Sequence, residues 1–186
     1  MRQVRAFLAG ALLVGLIAFL SGAGTYAAFF SKTANDGNGV GNSLDAGTVD
    51  LADNDAGSAM FTVAGMRPSD PPTSSCITVT YNGSLASVVS LYGSVSGGLA
   101  PYLDLTVQRG TTTTGFGNCS GFTSTQVLYS GALSVFPTAY GSIFDPDPSW
   151  TTGTSHAYRF IVSVQNTPAV QGLSASAAFT WEARNL

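Results

Sequence analysis

The chemistry available to this chain is narrow. Its 186 residues contain one histidine, His156, one glutamate, Glu182, and one lysine, Lys32. A zinc peptidase of the H-E-x-x-H kind needs two histidines a helical turn apart with a glutamate as base. Here the glutamate follows the histidine by twenty-six residues, and the motif is missing. No G-x-S-x-G occurs to make a nucleophile elbow. His156, two residues before Tyr158 at a strand start, reads as a surface or edge histidine. Asp45, Asp50, Asp53 and Asp55 offer oxygen ligands for Ca²⁺, but 53–57 (DNDAG) is only a fragment of a calcium loop and lacks its bidentate Glu. A solvated turn capped by Asp side chains is the plainer reading. Two cysteines and one histidine are too few for a structural zinc site, so no cofactor is expected and the chain reads as a non-enzyme.

The elements that position these residues begin after residue 27. Arg2 and Arg5 precede AFLAGALLVGLIAFL (6–20) and the small-residue run SGAGTYA. A basic start, an apolar core and a small-residue exit make a secretory signal peptide. Thr25 and Ala27 supply small side chains at −3 and −1, which puts cleavage before Ala28; an uncleaved anchor is the alternative. The mature chain then holds five basic residues against ten acidic ones, a charge of −5. No basic stripe remains for nucleic acid. Export makes a Cys76–Cys119 disulfide the default, worth about 4 kcal/mol in the chain-entropy model.

Short β-branched and aromatic runs alternate with Gly, Pro, Asn and Asp clusters, the pattern of an all-β antiparallel sandwich. Candidate strands are 47–51, 59–63, 76–81, 86–95, 103–109, 125–129, 157–165 and 174–183. In YRFIVSVQ, Tyr158, Phe160, Val162 and Val164 share a face; in SASAAFTWEA, Ala175, Ala177, Phe179 and Trp181 do. Period two with one apolar face marks a half-buried strand. NGS at 82–84, SGG at 96–98 and FDPDPS at 144–149 are turns. The division expected is a signal peptide (1–27), an N-terminal lead (28–42) and one β-sandwich domain (43–186).

Several motifs in order resemble one family. GTYAAFFS (24–31) is followed by GNSLDAGTVDL (41–51), by GMRPSDPPTSSCITVTYNGSL (65–85) and by a closing AFTWEA strand (178–183). This resembles the TasA/camelysin family of Gram-positive secreted proteins, from about residue 22 to the end. The family's P-G-D turn is Pro68-Ser69-Asp70 here, its N-N-G-S-L turn is Tyr81-Asn82-Gly83-Ser84-Leu85, and the cysteine pair is absent from its best-known member.

The resemblance implies a jelly-roll-like sandwich, exported and processed by a dedicated SipW-like signal peptidase. It further implies a subunit of extracellular biofilm-matrix fibres, in contact with the membrane only before cleavage. Its partner would be itself, through donation of the freed strand Ala28, Phe29, Phe30 and Ser31 to a neighbouring copy. Eight extended residues reach roughly 25 Å, enough to cross a sandwich edge. Composition argues against a pilin-type isopeptide bond, since the sole lysine, Lys32, lies in the lead and Glu182 is the sole glutamate. The family's peptidase label keeps a camelysin-type secreted metallopeptidase as an alternative, and a monomeric cell-surface binding module is a second.

Overall fold

A computed structural model describes residues 29–31, 44–68, 70–111 and 115–186. The chain divides into two compact units, 1–47 and 48–186. Within the first, β1 (Phe29–Ser31) pairs antiparallel with β2 (Leu44–Ala46), Phe30 standing opposite Asp45. The expected signal peptide and its cleavage residues Thr25, Ala27 and Ala28 lie outside the described residues.

The second unit is an all-β antiparallel sandwich. Its strands are β3 (Leu51–Asp53), β4 (Thr73–Tyr81), β5 (Ser87–Ser96), β6 (Leu103–Thr111), β7 (Thr123–Ala132), β8 (Ile143–Phe144), β9 (Ser155–Val164) and β10 (Ser176–Asn185). One sheet runs β3-β4-β9-β6-β7 and the other β10-β5-β8. Period-two alternation sends Ile77, Val79 and Tyr81 from β4, Leu105 and Val107 from β6, and Tyr158 and Phe160 from β9 into the space between the sheets. Val89 and Leu91 of β5 and Ile143 of β8 meet them from the other side. Phe160 packs on Phe179 at 4.5 Å and Tyr158 on Trp181 at 5.2 Å between ring centroids, so β10 closes the core with aromatics. Each such ring removed from water contributes roughly 1.5–3 kcal/mol.

The connectivity is that of a jelly roll with one displacement. In a jelly roll eight strands wind into two sheets, and the first strand lies beside the last. Counting from β3, the orders β4-β9-β6-β7 and β10-β5-β8 follow that winding. β3, however, pairs with β4, through three residues only. No strand among the described residues lies on the outer edge of β10.

Three expectations are corrected. Of the 47–51 run only Leu51 enters a strand, β3, while 47–50 stay outside any ladder. Residues 59–63 form no strand: Met60 and Phe61 cover the core from a loop between the 53–57 turn and the Arg67–Asp70 turn. Apolar side chains there serve packing while the backbone stays out of any ladder, which a short apolar run cannot reveal. Conversely, Phe144, expected to open the 144–149 turn, forms a strand with Ile143, because Ile143 and Ser90 lock together: Ser90 Oγ donates to the Ile143 carbonyl at 2.9 Å.

Candidate functional site

Three places in the sandwich concentrate chemistry: the outer edge of β10, the joint between the 48–51 and 81–85 segments, and a buried polar cluster at the end of β9.

β10 runs ten residues in unbroken register with β5, from Ser176 opposite Ser96 to Asn185 opposite Ser87. Its inward side chains are Phe179, Trp181 and Ala183, all packed against the core. On its outward face Glu182 accepts from Arg184 Nε at 2.7 Å and from the Tyr92 hydroxyl at 2.8 Å. These bonds, from Arg184 first and Tyr92 second, hold the Glu182 carboxyl below its ordinary value. Between β10 and β3 the sandwich opens into a groove lined by Leu51, Ala52, Asp53, Val79, Phe179, Thr180 and Trp181. Partial desolvation lifts the Asp53 carboxyl above its ordinary value; the bond from the Asp55 backbone N–H opposes the rise and the Asp55 carboxyl adds to it. An edge strand presents a row of unpaired backbone donors and acceptors, so this edge and groove can accept an added strand and one or more of its side chains.

Two of the segments that carried the resemblance meet in space. Ser84 N and Leu85 N both donate to the Thr48 carbonyl, at 2.9 and 3.1 Å, and Asn82 N donates to the Asp50 carbonyl at 2.9 Å. Thr48 N donates back to Ser84 Oγ at 2.9 Å. Beneath them Tyr81, fully buried, donates its hydroxyl to the Leu85 carbonyl and shares a 2.8 Å bond with Ser87 Oγ. Gly83 is required here by close approach: a Cβ would stand 2.6 Å from the Thr48 carbonyl oxygen and collide with the Tyr81 hydroxyl. The 48–51 and 81–85 segments are therefore one joint that anchors the base of β3. The Arg-Pro-Ser-Asp turn is closed the same way, by Arg67 N donating to Asp70 Oδ2 at 2.7 Å.

At the end of β9 the single histidine is not at an edge. His156 lies on the central strand β9, its side chain 17% exposed, with Nε2 between Arg109 Nη2 at 2.8 Å and Asp147 Oδ2 at 3.2 Å. The Asp145 carboxylate, 2% exposed, accepts from Arg109 Nε at 3.1 Å, Tyr158 Oη at 2.7 Å, Trp150 Nε1 at 3.3 Å and Asp147 N at 2.9 Å. Burial first, and Asp145 second, push the Tyr158 hydroxyl well above the ordinary tyrosine value. Every lone-pair direction of Asp145 is used within the protein, and this saturation ties the 144–150 turn to β6 and β9. The expectation of a surface histidine fails, although phase carried the signal. His156 shares the inward phase of Tyr158 and Phe160, and Arg109 shares that of Leu105 and Val107.

The remaining candidates fall as follows. Cys76, fully buried on β4, forms a disulfide with Cys119 across a sequence separation of 43, and Gly117 N donates to the Cys76 carbonyl at 2.8 Å. The 53–57 carboxylates serve their own turn: Asp55 N donates to Asp53 Oδ1 at 3.0 Å and Gly57 N to Asp55 Oδ1 at 2.6 Å. Among the described residues no three His, Cys, Asp or Glu side chains are placed to hold a metal ion. Phe29, Phe30 and Ser31 form β1, paired with β2. The described residues thus define an all-β, disulfide-linked sandwich whose sheets end on two long edge strands, β7 and β10. The chain matches no protein-family model and no curated protein sequence.

Proposed function

We propose that the mature chain is a secreted structural subunit that builds extracellular fibres or surface filaments without covalent links. In this reading the segment beginning Ala28-Phe29-Phe30-Ser31 of one copy adds to the outer edge of β10 in the next. The observation that carries it is the ten-residue β10 edge, at the position where a jelly roll seats its first strand. Added backbone hydrogen bonds give the affinity, and on the extended segment one of the two adjacent phenylalanines turns into the groove beside Trp181. A contact between two different surfaces of the same chain does not close on itself, so it propagates as a filament. The disulfide fits an oxidising environment, to which export by way of a SipW-like signal peptidase would deliver the chain. The order of the motifs, in the manner of the TasA/camelysin family, supports the same reading. Replacing Phe29 and Phe30 together by Asp tests it. Loss of filaments on electron micrographs, with the circular-dichroism spectrum of the sandwich retained, is expected. Unchanged filaments would remove strand donation.

A further inference from the structure

The groove beside β10 contains one carboxylate, Asp53, among otherwise apolar or neutral lining. Among the described residues no cation pairs with it; its only neighbours in charge and hydrogen bonding are those of Asp55. A carboxylate with no cation beside it at the rim of a groove calls for a cationic occupant. The mature chain carries a single lysine, and it stands in the segment proposed to be donated, two residues beyond Phe30. On an extended strand Phe30 and Lys32 share a face and lie about 7 Å apart. Leu51 and Asp53 repeat that spacing on β3, one apolar and one acidic.

We propose that Lys32 of a donating copy pairs with Asp53 of the accepting copy, fixing the register of the added strand. Phe30 then lies over Leu51 and Trp181 while Lys32 reaches Asp53. This rests on the strand-donation reading and adds to it a charge contact that selects one register. A one-residue slip would turn Phe29 and Ser31 to the groove and leave Asp53 facing solvent. Asp53 is exposed, and beside the bond it accepts from Asp55 N its turn is also held by Asn54, whose side chain accepts from Thr78 N at 2.9 Å.

The test is a charge exchange between chains. Lys32→Asp and Asp53→Lys are purified separately and as a mixture, and filament growth is followed by light scattering. Each alone carries like charges at the contact and is expected to grow roughly five-fold more slowly than the unaltered protein. The mixture pairs Asp at position 32 with Lys at position 53 and Lys32 with Asp53, so its growth is expected to return to the original rate, with the two chains alternating. Growth of each variant at the unaltered rate would overturn the proposal while leaving strand donation standing. Slowing without recovery on mixing would overturn it too, since the two charges would then act within one chain or separately. Failure of strand donation itself reads out elsewhere, as filaments indifferent to the Phe29 and Phe30 substitutions.

Discussion

Two long strands end the sheets of this sandwich, and they are protected very differently. β7, at the edge of the larger sheet, is ten residues long, but its register with β6 shifts twice, at Val107/Gln108 and at Arg109/Gly110. Such irregularities bend and twist an edge away from new partners. β10, also ten residues, has no shift against β5 and carries only the mutually paired Glu182 and Arg184 as charges. The other two edges are protected by brevity, three residues in β3 and two in β8. In the proposed assembly, edge length alone therefore does not select the strand that accepts a partner; continuity of register does. By that measure β10 is the edge left available.

The first way to sharpen the comparison is to separate the edges from the body that holds both. Asp145→Ala removes the acceptor of four hydrogen bonds and leaves Arg109 without its ion-pair partner. A loss of roughly 3–5 kcal/mol in denaturant unfolding is expected, and any effect on assembly should follow that loss of stability. Smaller in stability, and larger in specificity, is an asymmetry between edges. Ala52→Trp fills the groove and is expected to cut filament growth at least about ten-fold with unfolding changed by less than about 1 kcal/mol. Val127→Lys, at an exposed position on β7, should leave growth unchanged. Equal slowing by both would erase the distinction. The smallest effect is alkaline. The Tyr158 hydroxyl keeps its proton to higher pH in the folded chain than in the unfolded one. Its contribution is thus complete below the ordinary tyrosine value and declines as pH rises through the raised one. A fall in melting temperature above about pH 10, reduced in Tyr158→Phe, is the expected titration.

Much of the sandwich was legible in the sequence because period two is a local signal. YRFIVSVQ and SASAAFTWEA announced their inward faces, and both became core strands. What stayed hidden depends on partners remote in sequence. Ile143 and Phe144 became a strand through Ser90, fifty-three residues away from Ile143, and the 59–63 run lost its strand because no neighbour offered a ladder. The role of Gly83 could be read only as a turn, since the Thr48 carbonyl that excludes a side chain lies 35 residues earlier. The buried cluster is an intermediate case. Arg109 and His156 both occupy inward phases, and a charge in an inward phase is a local sign of a buried polar network. The outer edge of β10 was not legible at all, because an edge is defined by which strand does not arrive.

The most direct test of the central claim is hydrogen exchange measured strand by strand, before and after assembly. In the monomer, amides of β10 that do not bond to β5 should exchange within the fastest class of the sandwich, while their β5-bonded neighbours are protected. In filaments those same β10 amides should become protected, with β7 unchanged. Protection gained on β7 with none on β10, or β10 amides already fully protected in the monomer, would contradict the account.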